Sequence, residues 1–303
     1  MKKFIISSEF YVGLRLDKWL KKNFSSLTQN FLEKNLRKGN IKVNNLKKPS
    51  KYKLKINDEI IIYNFLSSTY SHQEKITSKV NIPLNYKNIF ETSIIYQNED
   101  FIILDKWTGI STQGGSKIKI SIDHIIKNIS NNYNLVHRLD RETSGLLIIA
   151  KNHISTKLFG KMFREHLIEK IYIAICQGKP KNLESEVNLL IQDKKNHNKK
   201  FDSVTRYKIV QSNNKLSNII FFPKTGRTHQ IRIVAKHIGT PIIGDTKYNK
   251  NNKYKFEKLK LNAHILKFNF KNTEYKFISK LPDHFKDFYK KNNLKKISTN
   301  NLF

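Results

Sequence analysis

The 303-residue sequence contains a single cysteine, Cys176. One thiol cannot form an internal disulfide, and it cannot supply a cysteine-based zinc cluster. Cys176 follows the apolar run 171–175 (IYIAI), so we expect a buried, inert thiol there and no nucleophile.

Long apolar runs are also lacking. No stretch approaches the about 18 apolar residues that a membrane-spanning helix needs. The basic start of the chain is followed by an apolar run that stops at Ser7, which is not typical of a signal peptide. These observations predict a cytoplasmic protein with no membrane segment.

Acidic residues are scarce. The sequence has 24 Asp and Glu against 57 Lys and Arg, a formal net charge of +33. Such an excess indicates a polyanionic partner, with nucleic acid first and an acidic membrane surface second. A composition rich in lysine and asparagine accounts for part of this charge, so the charge alone does not identify the partner.

Three common cofactor signatures are missing from the sequence as well. It contains no phosphate-binding Gly-Lys-Ser/Thr loop, no dinucleotide fingerprint and no cluster of metal ligands. We therefore expect no cofactor and no metal.

What is present is an unusually charged turn between apolar segments, at residues 136–145 (VHRLDRETSG). The apolar run 146–150 that follows predicts a strand buried on both faces. An arginine that reaches Asp140 favours its carboxylate form, which suits nucleophilic or electrostatic catalysis. A solvated turn with a structural Arg–Asp pair is the alternative that spacing alone leaves open.

This stretch resembles the central motif of the RluA-type pseudouridine synthases, in which His-Arg-Leu-Asp precedes two variable residues, Thr-Ser/Thr-Gly and an apolar strand. The resemblance implies that Asp140 is the catalytic aspartate. It also implies that Arg138 fills the space left by an extruded uridine or holds the displaced nucleotide. A structural pairing of Arg138 with Asp140 is the alternative.

A second stretch, residues 169–174 (EKIYIA), resembles the Lys-x-Tyr-x-Ala strand of the same family. Strand alternation predicts Tyr172 and Lys170 on one face and the isoleucines on the other. The resemblance implies that Tyr172 lies against the target base, where it stacks and offers its hydroxyl to a proton transfer. Without the resemblance, a structural aromatic is the favoured interpretation.

A third stretch, residues 222–232 (FPKTGRTHQIR), also matches the family. Its pattern predicts the end of a strand, a turn, and a helix that Thr228 caps. The resemblance implies that Arg227 pairs with Asp140 through its planar fork and holds it ionised and aimed. We assign His229 a structural role, because it is not the catalyst in this family.

The beginning of the chain has a different pattern. Apolar residues at helical spacing predict one helix around residues 16–24, and Thr28 and Gly39 delimit a second, with strands near 41–43 and 59–62. This stretch resembles the RNA-binding domain named after small-ribosomal-subunit protein four. The resemblance implies that four cations face phosphates, and a solvated basic helix surface is the alternative. These cations are Lys34, Arg37, Lys38 and Lys42.

Together the patterns predict an α+β protein with two domains. The S-four-like domain spans residues 1–64, a polar linker 65–88, the catalytic domain 89–290 and a flexible basic tail 291–303. For the catalytic domain the resemblance implies a mainly antiparallel mixed sheet with flanking helices. Its first elements are predicted as a strand pair around the turn 97–100 and a helix over 118–129.

The family resemblance implies a cofactor-free isomerisation of uridine in RNA, and residues 141–144 (RETS) are similar to the RluC-like branch. We therefore expect a monomer that acts on large-subunit ribosomal RNA or a pre-ribosomal particle. Transfer RNA as substrate, or a non-catalytic ribosome-assembly factor, are the alternatives. Asp140 either attacks the anomeric carbon or removes a ribose proton, and the sequence leaves both routes open.

Overall fold

The computed structural model describes residues 1–70, 80–115, 118–192, 199–213, 215–249, 253–254 and 256–294. The chain divides into two compact units, Met1–Lys79 and Val80–Phe303. Each unit has its own hydrophobic core, so each is described by itself.

Within residues 1–70 the first unit contains an antiparallel three-stranded sheet and two α-helices. Thr28 caps the second helix by accepting the backbone N–H of Phe31 at 3.2 Å, and Gly39 ends it in the left-handed conformation. These elements confirm the predicted helices and strands. They are β1 (Lys2–Ile5), a short 3-10 helix (Glu9–Tyr11), α1 (Leu16–Asn23), α2 (Gln29–Lys38), β2 (Ile41–Val43) and β3 (Glu59–Ile62).

The linker predicted for residues 65–88 is wrong at both ends. Phe65 stacks on Tyr70 with 5.1 Å between ring centroids, and Tyr70 is buried in the first core. At the other end, a helix of the second unit begins after Pro83 and buries Phe90. Isolated aromatic residues anchor these polar stretches to the cores, which a search for periodic apolar residues does not detect. Residues 71–79 lie outside the described part of the chain.

The second unit is built on a large sheet with helices packed against it. Among the described residues, the path of the sheet is β4-β5-β7-β12-β8-β11-β10-β9, with β6 paired to β7 and β13 paired to β12. Its strands are β4 (Ile94–Gln97), β5 (Phe101–Lys106), β6 (Asn134–Leu135), β7 (Ser144–Ala150), β8 (Glu169–Gln177), β9 (Glu184–Gln192), β10 (Lys200–Ser212), β11 (Leu216–Pro223), β12 (Leu261–Phe270) and β13 (Thr273–Ile278). Its helices are α3 (Leu84–Thr92), α4 (Ile122–Ile129), α5 (His153–Arg164), α6 (Gln230–His237) and α7 (Asp283–Lys291).

The pairing directions confirm a mainly antiparallel mixed sheet. Across the described strands, β7 and β12 run parallel and the other neighbours run antiparallel. At their junction Gly145 has φ 107°, and a Cβ there would lie 2.3 Å from the carbonyl oxygen of Ala263. A glycine is therefore required where the charged turn joins the centre of the sheet.

Burial in the strands follows the predicted patterns. All seven residues of β7 are buried, as expected for a strand covered on both faces. In β8, Ile171, Ile173 and Ile175 share one core cluster, whereas Tyr172 packs on the opposite face. Cys176 is buried, and burial raises the pKa of its thiol, so the prediction of an inert cysteine is confirmed.

Two further predictions need correction. The helix predicted over 118–129 begins only at Ile122, because Ser121 caps it by accepting the backbone N–H of His124. The flexible tail predicted from residue 291 does not begin there, because α7 includes Lys291 and Leu294 is buried in the core beside it. Residues 295–303 lie outside the described part of the chain.

Candidate active site

One cleft of the second unit gathers the charged side chains of the three family-like stretches. Three structural pieces form its walls: the turn before β7, strand β8, and the segment that joins β11 to α6. The predicted site residues of this unit all line the cleft. They are Asp140, Tyr172, Arg227 and Arg138.

The side chain of Asp140 is only 18% exposed, and its carboxylate faces Arg232 of α6 and His229, the residue just before α6. Nη1 of Arg232 donates to its Oδ2 at 3.4 Å, and Nε2 of His229 lies 3.7 Å from its Oδ1. Asp140 is thus held from one side by a cation.

Arg232 is itself fixed by a second carboxylate. Its Nε and Nη2 form a bidentate pair with the buried Asp245, with both distances 2.7 Å. Although burial opposes the charge, the hydrogen bonds to Asp245 raise the pKa of Arg232 above its ordinary value. The guanidinium is therefore a permanently charged, rigidly oriented group beside Asp140.

The predicted pairing of Arg227 with Asp140 is wrong. Nε of Arg227 donates to the backbone carbonyl of Asp202 at 2.9 Å, and the guanidinium lies 5.0 Å from the ring centroid of Phe201. Its backbone N–H donates to Oε1 of Gln230. Because Nε2 of Gln230 donates to Val204 and Thr205 of β10, the Arg227 turn is held against that strand. Arg232, five residues further along in the same motif, takes the predicted place.

The start of α6 also differs from expectation. The residue before the first helical turn is His229, not Thr228, and it has φ 57° and ψ 22° with no side-chain cap. The side chain of Gln230 accepts the N–H of Arg227 instead.

Tyr172 and Lys170 project from one face of β8 into the cleft. Burial, and secondarily the charge of Asp140, raises the pKa of Tyr172, so its phenol stays protonated near neutral pH. Burial lowers the pKa of Lys170 to about 8. Lys170 was not predicted as a site residue, although its spacing of two from Tyr172 was the available signal.

Two contacts fix the turn that carries Asp140. The fully buried Lys106 donates to the carbonyl oxygens of Trp107, Ile110 and Arg141 at 2.9, 3.2 and 3.2 Å, and burial lowers its pKa to about 7. The hydroxyl of Thr112 donates to the carbonyl of Leu139 and accepts its N–H. Neither residue was predicted, because these contacts join segments about thirty residues apart in the sequence.

Arg138 lies at the rim of the cleft. Its side chain is exposed, and its Nη1 donates to Oε1 of Gln113 at 3.2 Å. The alternative in which Arg138 pairs with Asp140 is not the arrangement found among the described residues.

The four cations predicted to face phosphates belong to the first unit. Lys34, Arg37 and Lys38 are exposed on α2, and Nζ of Lys42 lies 5.0 Å from the ring centroid of Tyr63. Within residues 1–70, none of the four forms an ion pair with a carboxylate.

A search of the described residues found no group of three His, Cys, Asp or Glu side chains placed to hold a metal ion. In the same part of the chain, no helix is long and apolar enough to cross a membrane.

Comparison with known proteins agrees with this geometry. The family model described as RNA pseudouridylate synthase matches residues 100–237. The chain is 36% identical over 300 residues to ribosomal large subunit pseudouridine synthase C of Rickettsia bellii (strain RML369-C), covering 93% of this chain and 99% of that protein. It is 38% identical over 302 residues to the protein of the same name from Rickettsia felis (strain ATCC VR-1525 / URRWXCal2), covering 93% and 98%.

Among solved structures, human RNA pseudouridylate synthase domain containing 4 superimposes with a TM-score of 0.62 at 20% identity, covering 71% of this chain and 98% of that one. This likeness shows a shared fold. The family match and the two relatives of nearly full length establish that the chain belongs to the RluA family of RNA pseudouridine synthases.

Proposed function

We propose that this enzyme isomerises uridines of large-subunit ribosomal RNA to pseudouridine, with Asp140 as its catalytic carboxylate. The relatives of nearly full length are named as large-subunit pseudouridine synthases, which supports this substrate. The observation that carries the catalytic assignment is the Asp140 carboxylate, facing an open cleft and held from behind by the Arg232–Asp245 pair.

The reaction breaks the bond between ribose C1′ and uracil N1 and forms a bond between C1′ and uracil C5. The hydrogen on C5 leaves as a proton, and N1 gains one, so the atoms balance without a co-reactant. Asp140 either attacks C1′ or removes a ribose proton to give a glycal. Both routes require a carboxylate of fixed orientation, and the contact with Arg232 at 3.4 Å supplies that orientation.

Tyr172 is suited to contact the base itself. Its raised pKa keeps it a neutral phenol, so its ring can stack on uracil while its hydroxyl passes the C5 proton onwards. A neutral phenol also avoids placing a second anion beside Asp140.

Arg138 is suited to the extrusion step. A uridine inside folded RNA must leave its stack, which costs a few kcal/mol. Arg138 is held at the rim by one neutral hydrogen bond, so it can swing into the vacated space without breaking an ion pair. We propose that Arg227, also at the rim, contacts the RNA backbone.

The first unit serves as an S-four-like RNA-binding domain in this proposal. Lys34, Arg37, Lys38 and Lys42 offer charge to phosphates, which positions the enzyme on RNA without reading sequence. We propose that the protein works as a monomer in the cytoplasm, on ribosomal RNA or a pre-ribosomal particle.

The test is a map of pseudouridines in total RNA from cells with and without the gene. We expect one or more positions of large-subunit ribosomal RNA to lose pseudouridine in the deletion strain. The parent gene should restore them, and so should Asp283→Asn, which changes an exposed carboxylate on α7. Asp140→Asn should restore none. Loss confined to transfer RNA would overturn the proposed substrate, and an unchanged map would favour the RNA-binding factor.

A further inference from the structure

The backbone of His229 is unusual. It adopts the left-handed region with φ 57° and ψ 22° at the start of α6, and its side chain makes no capping bond there. Residues with a side chain are uncommon in that region, and such positions cluster at active sites where the surroundings enforce them. The left-handed backbone of His229 therefore indicates that its side chain has a function at this site.

The imidazole of His229 connects two oxygen atoms. Its Nδ1 lies 3.0 Å from the hydroxyl of Tyr248, and its Nε2 lies 3.7 Å from Oδ1 of Asp140. The side chain is only 14% exposed, and the ring of Tyr248 meets it edge-on at 5.6 Å. The imidazole thus bridges a phenol and the proposed catalytic carboxylate.

The buried Asp245 orients both Tyr248 and Arg232. Oδ1 of Asp245 accepts the backbone N–H groups of Lys247 and Tyr248, both at 3.0 Å. The same carboxylate forms the bidentate pair with Arg232. One buried carboxylate therefore positions both Arg232, which contacts Asp140, and Tyr248, which contacts His229.

These neighbours determine which nitrogen of a neutral imidazole carries the hydrogen. A neutral imidazole has one N–H donor and one acceptor nitrogen. If Tyr248 donates to Nδ1, the hydrogen is on Nε2 and points at Oδ1 of Asp140. The opposite tautomer would set the Nε2 lone pair against an anion, which is unfavourable.

We propose that Tyr248 and His229 are positioning residues for Asp140: the Tyr248 hydroxyl holds His229 as the Nε2–H tautomer, which donates to Oδ1 while Arg232 holds Oδ2. This inference rests on the catalytic role proposed for Asp140. The separation of 3.7 Å exceeds a hydrogen bond, and it shortens when a base fills the cleft, as catalytic contacts commonly do on substrate binding.

The kinetic test measures single-turnover rates on an unmodified transcript of large-subunit ribosomal RNA at saturating concentration. Tyr248→Phe should lower the rate about three- to tenfold, the effect of one hydrogen bond, with the RNA dissociation constant unchanged. The matched control is Tyr207→Phe, which removes a hydroxyl bonded to the carbonyl of Asn182, outside the cleft, and should keep the parental rate. A parental rate for Tyr248→Phe would overturn the proposal.

A double-variant cycle separates positioning from general stability. His229→Gln keeps an N–H donor within reach of Asp140 but no longer depends on Tyr248, so it should retain most of the rate. His229→Asn suits the left-handed backbone but is too short to reach, so it should lose about tenfold or more. Adding Tyr248→Phe to His229→Gln should cause no further loss, whereas additive losses would contradict action through His229.

Selective ¹⁵N labelling of histidine provides a test that needs no RNA. The His229 resonance, identified by its loss in His229→Gln, should have the shifts of a neutral Nε2–H ring in the parent and of mixed tautomers in Tyr248→Phe. Identical tautomers in the two proteins would overturn the proposal. If the parent fails to modify the transcript, protein-free large-subunit RNA is not its substrate, and the tautomer measurement still decides the role of Tyr248.

Discussion

Two basic regions of this protein use their positive charge in opposite ways. On α2 of the first unit, Lys34, Arg37 and Lys38 extend into solvent, and within residues 1–70 no carboxylate pairs with them. In the second unit, Arg232 lines the cleft and contacts two aspartates, and Lys106, buried outside the cleft lining, contacts three carbonyl oxygens. An exposed cation without a carboxylate partner contributes its charge alone, and another cation can replace it. A buried cation with fixed partners instead holds neighbouring groups in position.

This contrast predicts that the two regions fail differently. Loss of charge on α2 should weaken RNA binding and leave the chemical step intact. Loss of geometry in the cleft should slow the chemical step and leave RNA binding intact.

The largest effect is expected for Asp140→Asn. The amide keeps the shape of the side chain but can neither form the covalent bond nor remove a proton, so single-turnover isomerisation should fall on the order of a thousandfold or more. RNA affinity should remain within a few-fold of the parent, because no phosphate contact is lost. Filter binding and quantification of pseudouridine on the same RNA measure both. Turnover near the parental rate would remove Asp140 from the mechanism.

A smaller effect is expected for Arg232→Lys, which keeps the positive charge but removes the planar guanidinium. Arg232→Lys cannot bond to Asp245 and Asp140 together, so the rate at saturating RNA should fall about ten- to a hundredfold. The melting temperature should also fall, because the buried Asp245 loses its bidentate partner.

Arg227→Lys is the matched control, since it makes the same chemical change in the same motif. We expect its maximal rate to stay near parental, with any loss confined to affinity, because Arg227 does not contact Asp140. If Arg227→Lys proved the slower enzyme of the two, the assignment of Arg232 as the partner of Asp140 would fail.

For the exposed region, Lys34, Arg37 and Lys38 should be replaced together by Gln. Affinity for RNA should fall about tenfold, and the slope of log affinity against log salt should flatten by about two to three, since each lost phosphate contact removes about 0.7 to 0.9. The saturated rate should be unchanged. A triple Gln variant at the exposed Lys51, Lys53 and Lys55 matches the change in net charge and should flatten the slope less. Equal slopes for the two triple variants would mean that α2 has no particular role.

The smallest effect concerns acid stability, which should also separate the two units. Burial lowers the pKa of His137 to about 3 and those of His264 and His284 to about 4, all in the second unit, whereas residues 1–70 contain no histidine. Between those values and the ordinary 6.5, the unfolded chain binds more protons than the folded one. The free energy of unfolding of the second unit should therefore decrease by about 2 kcal/mol between pH 7 and pH 6, which is about 0.7 kcal/mol for each of these histidines.

The chain has two tryptophans, one in each unit, which makes this measurable. Trp19→Phe leaves Trp107 to report urea unfolding of the second unit, and Trp107→Phe leaves Trp19 to report the first. In the first unit, although burial opposes ionisation, Arg15 lowers the pKa of Asp17, so its contribution is retained at pH 6. Equal loss of stability in both units would contradict the prediction.

Local features of this fold could be read directly from the sequence. The cap of α2 at Thr28, its end at Gly39, the buried strand β7 and the faces of β8 each depend on residues close together in the chain. Their backbone hydrogen bonds, left-handed turns and strand alternation have short-range causes. The motif around Asp140 was likewise recognisable, because its residues are contiguous.

Only the tertiary structure decided which groups surround Asp140. The sequence predicted Arg227, but hydrogen bonds of Gln230 hold the Arg227 turn against β10, and Arg232 of the same motif contacts the carboxylate instead. The contacts of Lys106 with Arg141, and of Tyr248 with His229, span 35 and 19 residues. No local periodicity reports such pairs, because they depend on which strands become neighbours in the sheet, and that choice is made by packing over the whole unit.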